Sequence, residues 1–393
     1  MKFSGEITHL SQKGYGVVKN ACNGVSYFVY GTWPGDIGEF EVIDKPAHNK
    51  KFAYARLLRL ITPSPDRQHP ACAYMHLKDN PCTGCPWMIA DYASQLEQKR
   101  KRFLYAMKRV GFDAADFDSV PIQPAPQLFG YRNRCQVKTD GEKLGFINEE
   151  SGQMVAVSDC IVLNEPCRAL LKAATQRLLD ESWCFPVGGG MHFIDLDDAM
   201  QHGDIKVDSK RPFRQGNTQQ NIWMRAWLKE KLAQISNLNK VVELFCGSGN
   251  FTQIIAGSTC QTILAYEVDQ SAIDQLRSEQ LPKVNARVAD LFAPFIWRSL
   301  KKHVSDADTL VLDPPRAGLK RQDGFFESFR ALKTIIYVSC NPETFARDAW
   351  FFKRQGWSVD GVQLVDQFPH TPHVEVLAVF RSNGQSTRES RSK

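Results

Sequence analysis

From about residue 215 onward, short apolar runs recur every twenty-odd residues: Val241-Phe245, Thr262-Glu267, Ala286-Asp290, Thr309-Asp313 and Thr334-Ser339. Helical stretches lie between them. Strand, helix, strand repeated in this way builds an α/β fold, a doubly wound, Rossmann-like parallel sheet. Val362-Leu364 and Val374-Phe380 read as a closing antiparallel pair. Open sheets of this kind bind ligands at the carboxyl ends of their strands. The residues just after each apolar run are therefore the first to inspect for chemistry.

The rest of the chain divides around that block. Residues 1–62 alternate apolar and polar in short runs broken by glycines and the turn Trp33-Pro34-Gly35-Asp36, which predicts a small five-strand OB-like β-barrel. Lys45, Lys50, Lys51, Arg56 and Arg59 make its end basic, and Tyr15, Tyr27 and Tyr30 read as exposed rings on which bases could stack. Ile61-Thr62-Pro63-Ser64-Pro65 marks a linker. Residues 63–212 read as a central α+β domain with strands near Arg134-Val137 and Leu144-Ile147, helices over Ile89-Val110 and Pro166-Leu179, and a turn at Gly188-Gly189-Gly190. Tyr92, Leu96, Phe103, Leu104 and Met107 share one face of the first helix, with Lys99-Arg100-Lys101-Arg102 expected on a solvated face. Residues 213–383 hold the doubly wound domain, and the polar tail 384–393 is expected to be disordered.

Composition limits the function classes. The 393 residues favour several domains, no apolar run approaches a membrane span, and no signal peptide is visible, so a soluble cytoplasmic protein is expected. A net charge of +6 allows nucleic-acid binding without requiring it. Eleven cysteines are many for a reducing compartment, which turns attention to metal or catalytic roles.

The first strand runs into Phe245-Cys246-Gly247-Ser248-Gly249-Asn250-Phe251. Its glycines let the backbone approach a ligand closely. Glu267 ends the second strand, where a carboxylate accepts from ribose hydroxyls, and Asp290 ends the third, near an adenine edge. No third glycine and no Gly-Lys-Ser/Thr follows, so the loop suits S-adenosylmethionine, which has no phosphate to cradle. The bland alternative is a tight structural turn.

The fourth strand ends in Asp313-Pro314-Pro315-Arg316 and the fifth in Ser339-Cys340-Asn341-Pro342. An aromatic residue after the two prolines would suit methylation of an exocyclic amine, but Arg316 stands there. A thiolate at Cys340 adding to carbon 6 of a pyrimidine would make carbon 5 nucleophilic. A base must then take the carbon-5 proton. Glu375, between Val374 and Val376, is the preferred base, with His373 the alternative and His370 shaping the loop. A salt bridge is the structural alternative for Glu375. A cytosine-C5 enzyme would place a second cysteine where Pro315 lies.

In this order the motifs resemble the RNA (uracil-C5)-methyltransferase family. The matching segments are Tyr131-Arg132-Asn133-Arg134, Phe213-Arg214-Gln215-Gly216-Asn217, Phe245 to Phe251, Asp313 to Arg316, Ser339 to Pro342 and His373-Val374-Glu375. The N-terminal barrel is similar to the TRAM domain, an RNA-binding module. The resemblance implies cofactor contacts at Gln215, Phe245, Asn250, Glu267, Asp290 and Asp313, a nucleophile at Cys340 and a base at Glu375.

Cys72, Cys82, Cys85 and the remote Cys160 fall where the ribosomal-RNA branch of that family carries a 4Fe–4S cluster. Spacing alone leaves zinc and iron–sulfur open, with Cys135 or Cys167 able to substitute for Cys160. Nine residues separate Cys72 from Cys82, a longer gap than the family's, and Thr83 replaces a usual glycine. The expected substrate is structured RNA, 23S rRNA ahead of tRNA. The rival of another class is a non-catalytic RNA-binding or assembly factor. No membrane or obligate protein partner is expected.

Overall fold

The computed structural model describes residues 1–43, 52–178, 190–320 and 322–383. Lys45, Lys50, Lys51, Leu179, Cys184, Gly188, Gly189 and the 384–393 tail lie outside them. The chain forms two units: Met1–Lys99 with Pro126–Arg211 and Phe368–Pro372, and Arg100–Ala125 with Pro212–Gln367 and His373–Lys393.

The second unit is built on β1 (Lys240–Leu244), β2 (Thr262–Glu267), β3 (Val284–Val288), β4 (Thr309–Leu312), β5 (Thr334–Ser339), β6 (Trp357–Val365) and β7 (Glu375–Ser382). Their order in the sheet is β3-β2-β1-β4-β5-β7-β6, with the short strand Ile122–Gln123 beyond β6. β1 to β5 are parallel, and β7 runs antiparallel to both β5 and β6. This is the doubly wound α/β sheet read from the strand repeat. Alternation sends Val242, Leu244, Leu310, Leu312, Ile335 and Tyr337 to one core and Val241, Ile263, Val311, Ile336 and Val338 to the other. Helices cover both faces, so each inward side chain contributes roughly 1.5–3 kcal/mol of burial. β3 begins two residues before the apolar pattern suggests, and Asp290 lies beyond its end. Its register with β2, Ile263↔Val284 through Glu267↔Val288, is set by backbone pairing across polar Asn285 and Arg287.

In the first unit the N-terminal segment forms six strands, not five, in one sheet with an apolar core of Ile7, Val18, Tyr27, Val29, Phe40, Ala53 and Ala55. A Cβ on Gly5 would lie 2.7 Å from Val18, so the first and third strands face each other across that core. The same alternation corrects the tyrosine reading. Tyr27 is 1% exposed and points inward, while its neighbour Phe28 packs against Phe52 and Tyr54 on the outer side. Tyr15 and the Tyr30 hydroxyl are buried too. A second sheet of four strands carries Arg134–Thr139 and Leu144–Ile147, and the Glu165–Arg177 helix packs on it, capped by Asn164.

The helix of the basic run spans Tyr92–Val110. Its cations are not one solvated face. Lys99 is fully buried, donating from Nζ to the Phe368 carbonyl at 3.0 Å. Arg102 makes a two-pronged pair with Glu343 at 2.9 and 2.7 Å. Lys99 is reached by the apolar stripe as the helix winds, and its long stem packs while the head finds a carbonyl.

Candidate active site

The pairing Ser339↔Val376 joins β5 to β7, so the next residues of each strand, Cys340 and Glu375, come to facing positions. Directly opposed residues on antiparallel strands lie about 5 Å apart at Cβ. Cys340 is half-buried, and Glu375 is only 6% exposed. Asp313 follows β4 on the other side of β5, with its amide 3.3 Å from the Leu244 carbonyl.

Three acidic groups thus share one pocket, where burial first and a neighbouring carboxylate second raise each of them. Burial, then Glu375 and Asp313, pushes the Cys340 thiol up to about 12, against the lowering effect of Arg316. Burial and Asp313 push Glu375 up to about 8, and Arg316 again lowers it. Burial and the Glu267 carboxylate push Asp313 up to about 7. Arg316 is the cation that both members of the facing pair feel, and its Nη2 lies 3.3 Å from His373 Nε2. Glu375 has no salt bridge among the described residues, which removes the structural alternative weighed for it.

The neighbouring loop has the geometry of a ligand cradle. Gly249 has φ +100°, and an added Cβ would lie 2.5 Å from Leu276. Gly247, at φ +53°, donates its amide to Glu267 Oε2 at 3.1 Å, while Glu267 Oε1 receives the amides of Val268 and Asp269 at 2.7 and 3.2 Å. Phe245 holds a left-handed φ of +63°, strained for a residue with a side chain, and its ring lies 5.6 Å from Phe292. Asp290 accepts from the Phe292 amide at 2.8 Å. Gln215 accepts from Gln367 at 3.0 Å. Asn250 exchanges two side-chain hydrogen bonds with Asn221, at 2.9 and 3.0 Å. Glu267, Asp290 and Asp313 stand at or just past the carboxyl ends of β2, β3 and β4, which flank β1 and its glycine turn.

Glu243, which the sequence reading passed over, lies in the middle of β1 with 1% exposure. Thr252 donates to its Oε2 at 2.6 Å, and burial pushes its carboxyl up to about 8. The signal was present: a carboxylate inside an apolar run, the same argument that singled out Glu375.

The four cysteines belong to the first unit. Cys72, Cys85 and Cys160 pack at one cluster with Met88, Tyr131 and Val162. The Cys82 amide donates to Tyr74 O at 2.8 Å, and Cys160 is held by its amide on Asp159, itself paired with Arg168 at 2.6 Å. Burial pushes all three of the thiols Cys82, Cys85 and Cys160 up, Cys160 to about 11. The thiols feel one another, and Arg132 lies close enough to Cys85 and Cys160 to oppose that rise. Among the described residues, no group of three or more His, Cys, Asp or Glu side chains is arranged to hold a single metal ion. Cys135 is buried in the adjacent apolar cluster with Cys167, whose Sγ donates to Asn133 O at 3.0 Å. No helix among the described residues is long and apolar enough to cross a membrane.

Comparison with known proteins agrees with this layout. The model of the tRNA (uracil-5-)-methyltransferase family matches residues 200–289 and 297–382. An uncharacterized RNA methyltransferase of Nitrosomonas europaea is 56% identical over 393 residues, covering 100% of both chains. A 23S rRNA (uracil(1939)-C(5))-methyltransferase of Vibrio vulnificus is 28% identical, with 95% of each chain covered. The crystal structure of the Pyrococcus abyssi tRNA (uracil-54, C5)-methyltransferase in complex with S-adenosyl-L-homocysteine superposes with a TM-score of 0.68 at 23% identity, over 96% of this chain and 100% of that one. The last likeness is one of fold. The ordered motifs, the family match and the full-length relative together place this chain in the RNA (uracil-C5)-methyltransferase family.

Proposed function

We propose that the protein methylates carbon 5 of a uridine in structured 23S rRNA through a covalent bond between Cys340 and carbon 6. The observation that carries this reading is the facing pair of Cys340 and Glu375 at the ends of β5 and β7. S-adenosylmethionine, when bound, supplies a methyl group on a cationic sulfur. Gln215, Phe245, Asn250, Glu267, Asp290 and Asp313 would hold it, and the open space at Gly247, where an added Cβ would meet nothing within 4 Å, fits the close approach of such a ligand.

The residues act in sequence. The Cys340 thiol gives its proton to solvent and its sulfur adds to carbon 6, which pushes electron density onto carbon 5. Carbon 5 takes the methyl group, and S-adenosylhomocysteine is the leaving product. Glu375 as carboxylate removes the carbon-5 proton, the carbon 5–carbon 6 double bond re-forms, and the Cys340 thiolate leaves. The target base must be out of its stack to reach Cys340. The basic character of the chain and the N-terminal TRAM-like sheet support RNA as the substrate.

Cys72, Cys82, Cys85 and Cys160 would carry a 4Fe–4S cluster. Cys72, Cys85 and Cys160 in one cluster, Cys82 near enough for Cys85 and Cys160 to feel it, and a nearby Arg132 to balance thiolate charge support that assignment over incidental cysteines. The cluster would brace the loops that carry it. An absorption spectrum and metal analysis of anaerobically purified protein test it: a coloured sample with about four irons per chain is expected, and a colourless, zinc-containing sample overturns it.

The activity is tested with RNA from a strain lacking the protein. Purified protein and labelled cofactor are expected to restore 5-methyluridine to 23S rRNA. Transfer to tRNA alone moves the substrate assignment, and no transfer to either favours a non-catalytic RNA-binding factor.

A further inference from the structure

The helix Pro342–Arg354 starts two residues after Cys340, capped by Asn341, and carries Asp348, which is fully buried. Its Oδ2 accepts from the Leu319 amide and from the Tyr337 hydroxyl, each at 2.7 Å. Its Oδ1 accepts from Gln322 at 3.0 Å and from Arg347 at 2.9 and 2.7 Å. One carboxylate thus ties together β5, its following helix and the loop after Asp313.

That loop is gripped at further points by the same helix. Asn341 Nδ2 and Thr344 Oγ1 both donate to the Arg316 carbonyl, at 3.1 Å each. Arg347 Nη2 donates to the Ala317 carbonyl at 3.0 Å. Gly318 sits at φ +66°, where an added Cβ would lie 2.5 Å from Asp348 Oδ2 and 2.7 Å from Arg347 Nη2. The loop lies too close to the carboxylate for any side chain at that position.

We propose that Asp348, with Asn341, Thr344 and Arg347, forms a clamp that positions Arg316 as the balancing charge for Cys340 and Glu375. The inference rests on the assignment of those two as the catalytic pair. The charged and titratable groups facing the pair are Asp313 from the end of β4, Arg316 from the clamped loop, and each other across β5 and β7. His373 adjoins Arg316, and Tyr337 links the clamp to the nucleophile's own strand. Three acids and one guanidinium share this pocket, so the placement of that guanidinium sets how readily the thiol and carboxyl ionise. A carboxylate buried with five donors is costly to assemble, and here every donor belongs to the loop, the helix or β5. Asp348 touches no reacting atom. It is a positioning residue.

The test is a pH profile of single-turnover methyl transfer for the wild type, Arg316→Gln, Asp348→Asn and the double variant. Arg316→Gln is expected to slow transfer and move the rising limb to higher pH, because Arg316 favours the anionic forms. Asp348→Asn is expected to move the limb the same way with a loss of about tenfold, short of the hundredfold that a full ångström of misplacement can cost. Its melting temperature and cofactor affinity report on folding. The double variant is expected to be no slower than Arg316→Gln alone, since both act through one guanidinium. Additive losses, or a slower Asp348→Asn with an unmoved profile, overturn the clamp. Should Asp348→Asn not fold, Thr344→Val removes one donor to the Arg316 carbonyl, keeps the buried carboxylate, and carries the same expectations. An active Cys340→Ala protein overturns the catalytic assignment itself, which separates that failure from a failure of the clamp.

Discussion

At the scale of single residues, the site is a thiol and a carboxyl that each resist ionisation. Burial and neighbouring carboxylates push Cys340 up to about 12 and Glu375 to about 8. Burial and the neighbouring carboxylates therefore favour the protonated thiol, and Arg316 opposes them. Glu375 works only as carboxylate, so single-turnover rates are expected to fall as pH drops below about 8. A flat profile between pH 6 and 9 would contradict its role as base. Cys340→Ala is expected to abolish turnover. Glu375→Gln keeps the nucleophile and removes the base, so release should slow by about 10²–10⁴-fold. A denaturant-resistant protein–RNA band should then accumulate, and its absence on gels would point to His373 or another base. Cys340 was legible as a candidate because a cysteine at a strand end stood in ordered company. Asp348 was not: it lies on a helix, and nothing in Phe345-Ala346-Arg347-Asp348 announces that the fold buries it against the Leu319 amide.

At the scale of elements, the antiparallel return of β7 makes the site. A sheet of parallel strands alone would leave Cys340 at an edge; β7 inserted between β5 and β6 brings Glu375 opposite it. The strand repeat gave five of these strands from apolar runs, since backbone pairing and side-chain burial coincide there. β3 shifted because polar side chains at a sheet edge hide the pairing. The Lys99 burial escaped the helical pattern because a lysine can fill an apolar position with its stem. The cradle turn offers an internal comparison. Gly249→Ala meets Leu276 at 2.5 Å in addition to its left-handed φ, whereas a Cβ on Gly247 meets nothing within 4 Å. Gly247→Ala should cost roughly 1–2 kcal/mol from backbone alone. Gly249→Ala should cost clearly more and weaken cofactor binding, measured by thermal melts with and without S-adenosylhomocysteine. Equal losses at the two positions would show that crowding at Leu276 plays no part.

At the scale of the whole molecule, buried acids shape stability. Glu243 and Glu375 are each pushed up to about 8 from an ordinary 4.5. Between those values the folded chain holds protons that the unfolded chain has lost. Their contribution is therefore fully present below about pH 4.5 and is lost as pH rises through about 8. Unfolding midpoints in urea are expected to decline from pH 6 to 9, and Glu243→Gln should flatten part of that decline. A midpoint that rises over this range would contradict the burial of these carboxyls. The doubly wound sheet and its motif order could be read along the chain because they are local. The shared pocket of Cys340, Glu375, Asp313 and Arg316 joins residues up to 62 positions apart, and only the strand order brings them together. The central claim is transfer of a methyl group to carbon 5 of uridine by way of Cys340. Its most direct test incubates the purified protein with labelled S-adenosylmethionine and unmodified 23S rRNA, followed by digestion to nucleosides. Label in 5-methyluridine with the wild type and none with Cys340→Ala is the predicted result; label in any other nucleoside, or the same yield from Cys340→Ala, would contradict it.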